Sequence, residues 1–196
     1  MKDKLKVIPL GGMGEIGKNI TAIEYNDDII VIDCGLAFPD EEMYGVDLII
    51  PDISYLINNK DKVRGLVLTH GHEDHIGAIP YILKQLQMPI YGTKLTIGLV
   101  KTKLEEHKLL NETKVESVEI GDILELGSFK VEFIRATHSI ADSCSLAIYT
   151  PLGTILHTGD FKIDYTPIDG KLMDLQRIST IGREGVLLLM ADSTNV

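Results

Sequence analysis

The chain has 196 residues, 44% of them apolar, enough for one domain (1–196) with a sizeable core. Nineteen basic against 29 acidic residues leave a net charge of −10. That excludes a nucleic-acid partner held through a broad basic surface, so any phosphate must be gripped locally, by metal or by a few cations. Cys34 and Cys144 lie outside any C-x-x-C pattern, so neither a disulfide framework nor a zinc knuckle is indicated, and reduced thiols fit a cytoplasm. The charged N-terminus is followed only by Val7-Ile8-Pro9-Leu10, and no 18-residue apolar run occurs. Neither secretion nor a membrane span is expected.

Short β-rich runs open the chain at Lys4–Leu10, Asn19–Tyr25 and Ile29–Asp33, with turn chemistry at Asn26-Asp27-Asp28, as in a meander. A loop over Cys34–Val46, a short run Leu48–Ile50 and a helical turn near Ser54–Asn58 precede the strand Val63–Leu68. Ile76, Ile79, Ile82, Leu83 and Leu86 recur at helical spacing and predict one helix that Pro89 ends. After the short strand Ile90-Tyr91, Thr96–Leu109 reads as an amphipathic helix with Leu99, Val100 and Leu104 on its apolar side. Lys114–Ile120, Ile123–Leu126, Phe129–Ile134, Leu146–Thr150 and Thr154–His157 form a second β series, punctuated by Gly121-Asp122, Gly127-Ser128 and Pro151-Leu152-Gly153. A helix near Leu172–Ile181 and a buried strand, Val186–Met190, follow.

The chemistry concentrates in Thr69-His70-Gly71-His72-Glu73-Asp74-His75, directly after the strand that ends at Leu68. Three imidazoles and a carboxylate on one loop suit Zn, Mn or Fe. His70 and His72, at i and i+2 on an extended segment, point to the same side and can share one ion. Asp74 and His75, at a helix start, face elsewhere and suit a second ion, roughly 3.5–4 Å from the first in two-metal hydrolases. Two further candidates follow apolar strands: His138 after Phe129–Ile134 and Asp160 after Thr154–His157. A carboxylate can bridge two ions, and Asp160 is the predicted bridge.

The H-x-H-x-D-H loop, the later His138 and Gly159-Asp160 resemble the metallo-β-lactamase superfamily over essentially the whole chain. Pro9-Leu10-Gly11-Gly12-Met13-Gly14-Glu15-Ile16-Gly17-Lys18-Asn19 and Ala191-Asp192-Ser193-Thr194-Asn195 narrow the resemblance to its β-CASP ribonucleases. The resemblance implies an α/β fold, a metallo-β-lactamase-like αββα sandwich of which this chain is the N-terminal part, without the β-CASP insertion and the C-terminal half. It implies His70, His72 and His138 around one divalent ion, Asp74 and His75 around another and Asp160 on both, with zinc or manganese as the metal. It further implies RNA as substrate, 5′-to-3′ exonuclease and endonuclease activity, and a final His ligand in the absent half. Asp74, His75 and Asp160 are accordingly assigned to catalysis as well as to metal binding. The expected partner is 5′-monophosphorylated RNA, with no membrane and with a homo-oligomer for the full-length protein.

A water between two dications loses its proton near neutral pH, so hydroxide can attack phosphorus in line with the departing 3′ oxygen without a dedicated protein base. Alone, these residues are expected to catalyse weakly or not at all and to self-associate through uncovered apolar surface. Two alternatives remain: a thioester or lactone hydrolase of the same superfamily, and a non-catalytic metal-stabilised module.

Gly12-Met13-Gly14-Glu15-Ile16-Gly17 matches G-x-G-x-x-G, but the alternating, β-branched run after it is no helix, so a tight turn at the site rim is expected instead of a nucleotide loop. Cys144 reads as packing, since the nitrogen and oxygen ligands are complete without it. Asp33 is either an acceptor for a ligand imidazole or a strand-end turn residue. His157 reads as structural, with a supporting role at the site as the alternative. His107 is expected in solvent. Glu73 has no geometry that makes it a base, and Asp192 and Ser193 approach the site by resemblance alone.

Overall fold

Residues 3–194, described by a computed structural model, build two facing mixed sheets. The first runs in the order β1 (Leu5–Gly11), β2 (Ile20–Tyr25), β3 (Asp28–Ile32), β4 (Val63–Val67), β5 (Ile90–Thr93) and β6 (Val115–Val118). β1 to β3 pair antiparallel as a meander, and β3 to β6 pair parallel. The second sheet contains β7 (Ile123–Leu126), β8 (Phe129–Arg135), β9 (Cys144–Thr150), β10 (Gly153–His157) and β11 (Leu188–Met190). Its pairs are antiparallel except β10 with β11. Among the described residues no helix is long and apolar enough to cross a membrane.

The period of two along each strand divides the core into layers. In β2 and β3, Ile23, Ile30 and Ile32 face the second sheet, where they meet Phe129, Val131, Phe133, Leu146 and Ile148. The alternate residues Ala22, Ile29 and Val31 face the other way, onto Leu56, Ile76, Ile79, Val100 and Leu104. Those come from helices α1 (Ser54–Asn58), α2 (Glu73–Ile76), α3 (Ile79–Leu83) and α4 (Lys94–Glu106). On the far face of the second sheet, Ile134, Ala147 and Leu156 pack on Ile181 of α5 (Leu175–Glu184). The layers are therefore helix, sheet, sheet, helix, the αββα sandwich expected.

Four readings are corrected. The run Lys114–Ile120 does not join the second β series; β6 is the parallel edge of the first sheet, paired with β5. Alternation identifies a strand but not its neighbour. The single helix expected across Ile76–Leu86 is two short ones, broken at Gly77-Ala78, with Pro80 in the first turn of α3 where its missing N–H costs nothing. The last strand is not buried: β11 is an edge strand, and Leu189 is 57% exposed. His107 is half-buried, its ring against Tyr81 at 5.2 Å between centroids. Leu48–Ile50 contributes only an isolated bridge, Ile49 to Ala37.

Candidate metal centre

The C-terminal ends of β3, β4, β8 and β10 come together at one rim of the sandwich, and each delivers one part of the cluster. β4 leads into Thr69–His75, β8 into His138, β10 into Asp160 and β3 into Asp33. The histidine loop is held through its own backbone. Asn19, Cys34 and Leu36 donate their N–H groups to the carbonyls of Asp74, His75 and Glu73 at 3.0, 2.7 and 3.1 Å. Gly35 lies so close that a Cβ there would overlap the Asp74 carbonyl. His72 is extended at the N-cap of α2, so His75 comes from the helix while His70 and His72 come from the strand extension before it.

The structure brings all six predicted ligands together. His72 Nδ1 lies 3.0 Å from His70 Nε2 and 3.2 Å from His138 Nε2. On the other side His75 Nε2 lies 3.3 Å from Asp160 Oδ1 and 3.5 Å from Asp74 Oδ2. Asp160 spans the two groups, its other oxygen, Oδ2, being 3.7 Å from His138 Nε2. Potential donor atoms of His70, His72 and His138, and again of His70, His75 and Asp160, lie within 4.8 Å of one another.

Asp33 decides which nitrogens face inward. Its carboxylate accepts the Thr69 N–H and hydroxyl, each at 2.8 Å, and pairs with His75 Nδ1 at 2.8 Å. With its hydroxyl proton given to Asp33, Thr69 Oγ1 can only accept from His70 Nδ1, 3.0 Å away. One buried carboxylate thus assigns the ring proton to Nδ1 of both His70 and His75 and turns both Nε2 atoms toward the cluster. Asp33 adopts a left-handed φ of 57°, a conformation that Asp tolerates better than most residues, and this aims the carboxylate back under the loop. Of its two sequence readings, the geometry favours the acceptor for an imidazole, that of His75.

The electrostatics suit a cation. Burial would lower the His75 pKa, but Asp33 and Asp160 outweigh it and raise it to about 10. His70 is pushed down to about 3 by burial and then by the charge on His75. Burial would raise Asp160, yet the hydrogen bond and charge of His75 hold it at about 2. Two carboxylates therefore keep one positive charge between them at neutral pH, where a metal ion can replace the proton. The cluster fits divalent metal on its donor set: His72 Nδ1 faces both His70 Nε2 and His138 Nε2, at 3.0 and 3.2 Å, so three imidazole nitrogens converge with the Asp160 carboxylate beside them.

Three supporting residues stand out. Asn19 Nδ2 donates to Asp74 Oδ2 at 3.2 Å and lies 3.1 Å from His75 Nε2, a contact that sequence reasoning missed although its place at the end of the glycine run pointed to the rim. Gly159 donates its N–H to His157 Nδ1 at 3.0 Å, so His157 closes the turn that presents Asp160. Ser139 Oγ lies 3.5 Å from His72 Nε2. Cys144 is buried and donates its thiol to the Thr69 carbonyl at 3.2 Å, consistent with packing. Glu73 is exposed and pairs with Lys103, away from the inward-facing nitrogens. Asp192 N–H donates to Thr158 Oγ1 at 3.0 Å, at the end of β11 beside the site; Asn195 lies outside the described residues.

The chain is similar to proteins named Ribonuclease J. It is 55% identical over 193 residues to that of Synechocystis sp., covering 97% of this chain and 30% of the relative. It is 52% identical over 195 residues to that of Helicobacter pylori, covering 99% and 28%. The chain thus spans about 30% of the length of the curated relatives it matches. Among solved structures, a protein of unknown function from Enterococcus faecalis superimposes with a TM-score of 0.62 at 22% identity, over 82% of this chain and 44% of that one, a likeness of fold alone. Residues 13–186 match the metallo-beta-lactamase superfamily, and with the layered fold and the histidine loop on the same residues, the chain belongs to that superfamily.

Proposed function

We propose that the chain is the metal-binding part of a ribonuclease that hydrolyses RNA phosphodiesters with two divalent ions, zinc or alternatively manganese. The observation that carries the reading is the convergence of His70, His72 and His138 on one side of Asp160 and of Asp74 and His75 on the other. Similarity to proteins named Ribonuclease J supports RNA as the substrate.

Bound there, the ions supply Lewis acidity for hydrolysis and neutralise charge on a phosphate. The protein's own residues do the positioning. His70, His72 and His138 would hold one ion and Asp74 and His75 the other, with Asp160 lying between the two groups. Asp33 and Thr69 keep the Nδ1 protons of His75 and His70 in place, so that both rings present Nε2. His157 holds the Gly159 turn, and Asn19 holds the Asp74 carboxylate.

The full-length protein acts on 5′-monophosphorylated RNA as a 5′-to-3′ exonuclease and an endonuclease, in the cytoplasm and as a homo-oligomer. A β-CASP insertion and a returning half, with a further His ligand, complete it. These 196 residues alone hydrolyse RNA weakly or not at all. Full-length protein incubated with 5′-monophosphorylated RNA and Zn²⁺ or Mn²⁺ is expected to release mononucleotides, and to stop on chelation. Absence of cleavage with every divalent metal overturns the reading.

A further inference from the structure

Asn19 reaches both ligands of the second metal position from outside the histidine loop. Its amide nitrogen lies 3.2 Å from Asp74 Oδ2 and 3.1 Å from His75 Nε2. A carboxylate oxygen only accepts, so the NH2 end of the amide must face Asp74. We propose that Asn19 is the positioning residue of the Asp74/His75 position, setting its affinity and not that of its neighbour, and that the glycine run before it serves to seat its amide. The proposal rests on the two-ion reading and adds what makes the two positions unequal.

Three observations carry it. The first is how loosely Asp74 is otherwise held. His75 is fixed from behind by Asp33, and Asp160 by the turn that His157 closes. The Asp74 side chain is 39% exposed, and among the described residues Asn19 supplies its one hydrogen bond besides the approach of His75 Nε2. Asn19 bonds Oδ2, the oxygen that lies 3.5 Å from His75 Nε2. It therefore keeps turned inward the oxygen that closes the second position. A half-exposed side chain fixed before an ion arrives costs less to order when it binds.

The second observation is that Asn19 is itself fixed. Its backbone N–H donates to the Asp74 carbonyl and its carbonyl accepts the Gly35 N–H, each at 3.0 Å. Gly11 and Gly12 run close against this segment. A Cβ on Gly11 would overlap the Lys18 carbonyl, and one on Gly12 would stand 2.6 Å from Asn19 Oδ1. Bare backbone at these two places is what leaves room for the amide, which gives the start of the glycine run a task beyond turning the chain.

The third observation is asymmetry. Among the described residues the amide bonds none of His70, His72 and His138, so its influence falls on one position.

The test uses full-length protein stripped of metal and titrated with Co²⁺, whose visible absorption reports its ligands, with Zn²⁺ uptake followed by calorimetry. The wild type is expected to fill in two steps, and His138→Ala marks the step that belongs to the three-histidine position. Asn19→Leu keeps a similar shape without the donor. It should weaken the other step by about 10–100-fold, the usual cost of removing a hydrogen bond behind a metal ligand. The marked step should keep its spectrum and its affinity within twofold, and melting in excess chelator should match wild type, which a folding defect would not allow. Gly12→Ala, which crowds Oδ1, should weaken the same step as Asn19→Leu. Both steps within twofold of wild type in Asn19→Leu overturn the proposal, as does equal weakening of both steps, or uptake of a single ion by the wild type. A wild type that takes up two ions yet cleaves no RNA overturns the ribonuclease reading instead, and the titrations then decide the role of Asn19 separately.

Discussion

His75 Nδ1 and Asp33 Oδ2 lie 2.8 Å apart, both buried, in a pairing that joins the end of β3 to the helix carrying the second ligand pair. The same carboxylate reaches His70 through the Thr69 hydroxyl, so a single residue orients a ring in each half of the cluster. Replacing it by Asn leaves a similar shape but no charge to hold the Nδ1 protons. Asp33→Asn is expected to lower metal affinity by about 10–100-fold, the usual cost of losing a carboxylate behind a ligand imidazole. Competition titration against a chromogenic chelator measures it, and affinity within twofold of wild type would contradict the role.

Gly35 lets the chain leaving β3 pass against the Asp74 backbone, where any Cβ would overlap the carbonyl oxygen and carbon. Gly35→Ala must push the histidine loop outward, breaking the hydrogen bond from Cys34 N–H to the His75 carbonyl. A loss of about 1–3 kcal/mol is expected from the overpacking, together with weaker metal binding. Thermal melts with and without metal report both, and a variant that melts and binds like wild type would show that the loop has slack.

The second sheet offers a pH test away from the metals. Arg177 Nε and Nη2 bond Glu132 at 2.6 and 2.8 Å, and the Tyr149 hydroxyl donates to it at 2.5 Å. The Arg177 hydrogen bond lowers the Glu132 carboxyl below its ordinary 4.5, burial opposes it, and the Tyr149 bond adds to the lowering. A carboxyl depressed in the folded state gives stability that is complete above its unfolded pKa and is lost as pH falls through the folded one. The melting-temperature gap between wild type and Glu132→Gln should therefore be constant above about pH 6 and shrink progressively below about pH 4.5. A gap that stays constant down to pH 3 would remove the pair from acid stability.

What the sequence made legible was local. The loop His70–His75 declares its chemistry in six residues, and His138 and Asp160 follow from strand ends that alternation alone reveals. The two-sheet layering is written in the same alternation, Ala22 against Ile23 and Val31 against Ile32. Relations between distant segments were less visible. Asn19 reaches Asp74 across 55 positions, and the role of Asp33 needed the Thr69 hydroxyl on the neighbouring strand. β6 joined the unexpected sheet because a strand's pattern fixes its faces and not its partner. Ile76 to Leu86 keeps helical spacing across a break because Gly77 lets the turn tighten against Glu73 and Leu36 without moving the apolar stripe.

The central claim is that these side chains hold a pair of metal ions. Crystals of the full-length protein soaked in Zn²⁺ and measured at the zinc edge test it most directly. Two anomalous peaks are expected, one at about 2.0–2.1 Å from His70 Nε2, His72 Nδ1 and His138 Nε2, the other at that distance from His75 Nε2, with Asp160 between them. Strong anomalous density elsewhere on the protein, with none inside this cluster, would contradict the account.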